Sequence, residues 1–123
     1  MYSYRDMEVY KVSMQLYVNI HQRTRKFPGF EQFEMAAHIR RTALSIPSNI
    51  AEGAGRKTTK DFLRFIDIAN GSLSEMETQL EAANLLGYLP DYDEFLKRIA
   101  HLRALLSGLG RSLINKLHSN DTI

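Results

Sequence analysis

The chain has 123 residues, 44% of them hydrophobic and 24% charged, with no cysteine and a formal net charge of +2. That length suits one domain whose core needs no covalent staple. The missing cysteines exclude a disulfide scaffold, a thiolate metal site and a cysteine nucleophile, and no apolar run approaches the roughly 18 residues of a membrane span.

The start, Met1-Tyr2-Ser3-Tyr4-Arg5-Asp6, lacks a basic-then-apolar leader pattern, so a cytoplasmic protein is expected. Helical stepping then dominates, without strand-like alternation. The first predicted helix covers residues 6–26, with Asp6 as N-cap and Val9, Leu16, Ile20 and Phe27 on one stripe. Pro28-Gly29 stops it. The second covers 31–55, where Ala36, Ile39, Ala43, Ile46, Ile50 and Ala54 share a face. Pro47 lacks an N–H and crowds the Ala43 carbonyl, which predicts a kink or short break, with Ser48 capping a restarted turn. Gly53 and Gly55 are expected to loosen its end.

The third helix, 59–86, opens on a capping-box-like Thr58-Thr59-Lys60-Asp61. Phe62, Ile66, Ala69, Leu73, Met76, Leu80 and Ala83 follow in alternating four- and three-residue steps, a heptad seam, and Gly87 is the expected residue beyond its C-cap. The fourth helix, 91–118, repeats the stepping through Phe95, Ile99, Leu102, Leu106, Leu109 and Leu113, and the tail 119–123 is expected to fray. Short connections make sequential helices antiparallel. The expected fold is therefore all-α: a single up-down-up-down four-helix bundle spanning 1–123.

A bundle invites a di-iron site, which needs Glu-x-x-His pairs pointing inward. Val18, Met35, Arg98 and Asn115 stand three residues before His21, His38, His101 and His118, so the motif is missing. No His-Glu-x-x-His helix or phosphate loop of the usual spacing is found either. Glu75 and Glu77 point to opposite sides of one helix. No catalytic residue, metal site or cofactor is predicted, and the chain is expected not to be an enzyme.

Two features remain. A polar series runs beside the apolar stripe of the second helix at His38, Arg41, Ser45, Asn49, Glu52 and Arg56, with a matching flank at Ser72, Glu75 and Gln79. It is a solvated boundary, a buried network fixing register or a subunit interface, or a ligand groove. Charge is also uneven. Residues 1–60 hold ten Lys/Arg against five Asp/Glu, and residues 61–123 hold six against nine. The excess concentrates at Arg40, Arg41, Arg56, Lys57, Lys60 and Arg64, a cluster able to neutralise phosphates without reading sequence. Tyr2, Tyr4, Tyr88 and Tyr92 either stack bases or simply pack. Leu63, Phe65 and Leu85 lie off the seam and are expected to be exposed; in a protein-interaction module they would be subunit or partner contacts.

The segment Ile39-Arg40-Arg41-Thr42-Ala43-Leu44-Ser45-Ile46-Pro47-Ser48-Asn49-Ile50-Ala51-Glu52-Gly53-Ala54-Gly55-Arg56 closely resembles the signature of a bacterial family. Its members are small four-helix-bundle proteins encoded in intervening sequences of 23S ribosomal RNA genes, often labelled as a ribosomal protein. Tyr4-Arg5-Asp6-Met7-Glu8-Val9-Tyr10, Phe27-Pro28, the stretch Ala69 to Leu80 and Leu86-Gly87-Tyr88-Leu89 are similar too, and the likeness weakens after Leu89. His38 departs from the glutamine more usual there. The resemblance implies a homopentameric ring and no accepted catalytic activity. More distant similar bundles bind nucleic acid through basic surfaces. RNA is thus the expected partner besides a second copy of the chain, and a protein-interaction scaffold without nucleic-acid binding is the alternative.

Overall fold

The computed structural model describes residues 3–121. Within them lie four α-helices and no strand: α1 (Glu8–Thr24), α2 (Met35–Ala54), α3 (Thr59–Leu85) and α4 (Tyr92–Asp121). Each helix packs on its neighbours in sequence, and α4 closes back on α1. The diagonal pairs α1–α3 and α2–α4 make no close backbone approach among the described residues. Arg23, near the end of α1, bonds Asp91 just before α4. Gly53, near the end of α2, abuts Phe62 and Phe65 near the start of α3. These contacts are consistent with an up-and-down bundle.

The stepping of the sequence shows in burial, except that Ala54, Phe62 and Leu109 are only half-buried. Ile66, Ala69, Leu73, Met76, Leu80 and Ala83 of α3 are buried, as are Phe95, Ile99, Leu102, Leu106 and Leu113 of α4. They meet Val9, Leu16 and Ile20 of α1 and Ala36, Ile39, Ala43, Ile46 and Ile50 of α2 in one core. Each large aliphatic side chain so buried contributes about 1.5–3 kcal/mol of transfer free energy.

Several local expectations change. Asp6 does not cap α1. Ser3 accepts from the Arg5 N–H and opens a short 3-10 turn, Tyr4–Asp6, and Met7 precedes the helix without a side-chain cap. The first helix ends at Thr24, and α2 begins at Met35 rather than 31. A second 3-10 turn, Gly29–Glu31, fills the gap. There the Gln32 Nε2 donates to the carbonyls of Thr24 and Phe27, at 2.9 Å each, and satisfies groups a longer helix would have used. No break occurs at Pro47: α2 is continuous across it. Ile46, Pro47 and Ile50 are all buried. Packing on both sides thus offsets the roughly 3 kcal/mol that an interior proline costs.

Gly53 does not loosen the helix end. It is buried, and a Cβ there would lie 2.7 Å from the Phe65 Cβ. The missing side chain lets α2 and α3 approach. The start of α3 is as expected, with the Thr58 hydroxyl accepting from the Asp61 N–H at 3.1 Å. Its end is a Schellman motif: Gly87, with φ of 84°, donates to Asn84, and Tyr88 donates to Ala83. Helix α4 runs on to Asp121, through residues expected to fray, while Tyr2, Thr122 and Ile123 lie outside the described residues.

Candidate functional site

The end of α2, the turn Gly55–Thr58 and the start of α3 bring Arg56, Lys57, Lys60 and Arg64 to one end of the bundle, all exposed. Two of them are held in place. Arg56 donates to Glu52 at 3.0 Å, and its guanidinium lies 4.7 Å from the Phe65 ring centre. Arg64 lies 4.6 Å from the same ring and 3.6 Å from Asp61. Phe65 is therefore not an exposed contact. It is 6% exposed, and both arginines stack on it. Leu63 is half-buried, and Leu85 alone of the three is exposed as expected.

Both carboxylate partners sit one helical turn from their arginines, and such exposed pairs contribute only about 0.3–0.5 kcal/mol. They orient the guanidiniums without removing them from an incoming anion. Lys57 in the turn and Lys60 in the first turn of α3 are exposed as well.

The other two arginines stand apart from this end. Arg40 faces inward, where its Nε donates to the buried Thr24 hydroxyl at 2.8 Å and an Nη donates to Gln32 Oε1 at 2.9 Å. It ties α2 to the end of α1 through neutral partners. Arg41 is exposed on α2, but it stands thirteen residues before the helix ends at Ala54, about 20 Å along the axis from the turn.

The polar stripe is only partly a network between helices. His38 Nε2 lies 3.3 Å from Glu75 Oε1, with both side chains more than half exposed. Gln79 Nε2 donates to the buried Thr42 hydroxyl at 3.1 Å, while the Gln79 Oε1 is buried without a partner. Ser45 and Asn49 turn instead to carbonyls of their own helix, those of Thr42 and Ser45. Such back-bonding spends their polarity locally. Glu52 holds Arg56, and Ser72, half-buried on α3, joins neither cross-link. A shallow space of about 250 Å³ remains between α2 and α3, bordered by Met35, His38, Ile39, Thr78, Gln79 and Ala82.

Further links were not foreseen from the sequence. Arg23 pairs with Asp91 at 2.7 Å, and Arg103 reaches Glu77 at 2.7 Å and the Ser74 hydroxyl at 3.2 Å. Tyr88 donates to Glu31 at 3.1 Å and packs on Phe27. Loss of hydration, and then the Glu31 carboxylate, raise the Tyr88 pKa above the ordinary 10.0. Loss of hydration, followed by Glu81, Glu77 and Asp93, does the same for Tyr92. These tyrosines pack rather than stand free. Among the described residues no three His, Asp or Glu side chains gather as metal ligands, and no helix is long and apolar enough to cross a membrane.

Residues 5–108 match the family described as 23S rRNA-intervening sequence protein. The chain belongs to this family. The span of likeness to the 23S rRNA-intervening sequence proteins takes in all of α1, α2 and α3 and runs well beyond Leu89 into α4. Every residue of the basic turn lies inside it. No curated protein is significantly similar to the chain.

Proposed function

We propose that this protein is a non-enzymatic, homo-oligomeric ring of the bacterial cytoplasm that binds structured RNA through the basic end of each bundle. The observation that carries this reading is the turn between α2 and α3, where four exposed cations gather and two are pre-oriented on Phe65. Fixed guanidiniums lose little freedom when they meet phosphate, and they contact the backbone rather than base edges. A ring would repeat the turn in each copy, and several weak phosphate contacts on one body gain avidity.

Gel shifts of a structured RNA across a salt series test this. The wild type is expected to bind at low salt and release as salt rises, and Lys57→Glu/Lys60→Glu/Arg64→Glu to lose at least about tenfold in affinity. Binding indifferent to both changes contradicts the proposal.

A second reading, a protein-interaction scaffold without nucleic-acid binding, draws on the opposite end of the bundle. There Phe33 is 92% and Leu85 79% exposed, with Phe30 and Leu86 exposed beside them in sequence. Exposed apolar groups that join into one large patch mark protein contacts. Recovery from host extract of a stoichiometric protein partner that survives ribonuclease would favour the scaffold.

A further inference from the structure

The largest cavity described lies beside the basic turn, and the RNA-binding reading does not use it. It measures about 580 Å³ and opens between the N-terminal turn, the last turn of α2, the start of α3 and the far half of α4. Tyr4, Met7, Phe62 and Leu109 form its walls. The space exists because the α2 side carries only Ala51, Ala54 and Gly55, the close of the 18-residue segment singled out in the sequence. Ser3 supplies a hydroxyl at the edge. The volume falls in the range of about 300–1,000 Å³ that accommodates small organic groups, and the walls are largely apolar, with two aromatic rings among them.

Charge narrows the choice of occupant. Arg56 and Lys57 follow Gly55 directly, and both are exposed. Arg5 is exposed on the other side, with its guanidinium 4.8 Å from the Tyr4 ring centre. The acids nearby in sequence are Asp6 and Glu8, both exposed, Glu52, which already holds Arg56, and Asp61, which lies 3.6 Å from Arg64. An apolar, partly aromatic recess with cations on two sides fits a flat hydrophobic body carried on an anionic backbone. An aliphatic side chain from a protein partner would fill the recess but leave the cations unused.

We propose that this cavity receives one unpaired nucleobase of a bound RNA, while Arg5, Arg56 and Lys57 contact the phosphates flanking it. The proposal rests on the RNA-binding reading and deepens it: the ligand becomes RNA with a bulged or looped-out base rather than a perfect duplex. Unstacked bases are the usual targets of aromatic and apolar protein surfaces in RNA recognition, because a base buried in a helix offers no free face.

The test compares two RNA hairpins that differ only in one unpaired adenosine in the stem, with binding read by fluorescence anisotropy. The wild type is expected to bind the bulged hairpin about tenfold more tightly, a typical contribution for one stacked base. Ala54→Leu fills the recess. It should erase that preference while leaving affinity for the paired hairpin, and its salt dependence, unchanged. Lys57→Glu/Lys60→Glu should weaken both hairpins alike. With 2-aminopurine at the bulge, emission should change on binding to the wild type and not to Ala54→Leu. Ala51→Leu serves as the second filling variant should Ala54→Leu fail to fold, and the 2-aminopurine measurement on the wild type needs no variant.

Equal affinity for both hairpins, a preference that survives filling, or unchanged 2-aminopurine emission overturns the base-insertion proposal and leaves RNA binding standing. A change in oligomeric mass on filling also overturns it and makes the recess a contact between copies. Failure to bind either hairpin at low salt overturns both proposals.

Discussion

Gly53 shows how one side chain, or its absence, sets the position of a functional residue. Its backbone meets Phe65, and Phe65 is the platform on which Arg56 and Arg64 rest. Gly53→Ala would place a methyl group 2.7 Å from the Phe65 Cβ and 3.3 Å from the Phe62 carbonyl oxygen. The first is an atom close to the backbone and the second a backbone atom, so neither can swing aside. Overpacking of this kind costs about 1–3 kcal/mol, against up to about 1 kcal/mol regained from the better helix former. The expected result is a net loss of about 1 kcal/mol and a melting temperature lower by a few degrees in thermal unfolding followed by circular dichroism. An unchanged or higher melting temperature would show that the helices adjust freely. Phe65 was expected at the surface because it lies off the heptad seam; its burial depends on a glycine twelve residues earlier, which periodicity along one helix does not register. Arg40 is similar. In sequence it is one more cation in a basic stretch, and only the fold sets Thr24 and Gln32 opposite it.

At the scale of elements, the helices follow from their own stepping, while the connections depend on contacts between them. The α1–α2 and α3–α4 connections are joined by the hydrogen bond from Tyr88 to Glu31. Lost hydration and the Glu31 carboxylate both favour the neutral phenol in the folded chain, so its pKa there lies above the 10.0 of an unfolded tyrosine. The sign of the linkage follows. Below pH 10 both states hold the proton and the contribution is complete. As pH rises through 10 the unfolded chain releases its proton first, and stability falls until the folded pKa is passed. Denaturant unfolding between about pH 9 and pH 11 should show this decline, and Tyr88→Phe should make it shallower. Tyr92, raised in the same direction, leaves a residual slope. Identical slopes for wild type and Tyr88→Phe would mean that neither lost hydration nor Glu31 raises the Tyr88 pKa in solution.

For the whole molecule, the modest net charge of +2 conceals a polarised bundle, with the basic turn at one end and an exposed apolar surface at the other. Assembly into a ring would multiply the first. Light scattering on the purified protein is expected to give the mass of a homopentamer, and Phe33→Ser/Leu85→Ser to lower the affinity between copies if that apolar end is the contact. A monomer mass at micromolar concentration would remove the ring and the avidity that depends on it. The sequence by itself determined the four helices, most residues of their core, the cap at Thr58 and the left-handed Gly87, because stepping and turn chemistry act within one element or its immediate flanks. Only the tertiary structure decided that Arg40 turns inward, that Phe65 carries two arginines, that Pro47 passes without a break and that a recess opens beside the basic turn. Each of these depends on which residues of different helices come to face one another, and that is set by how closely the helices approach and in what register.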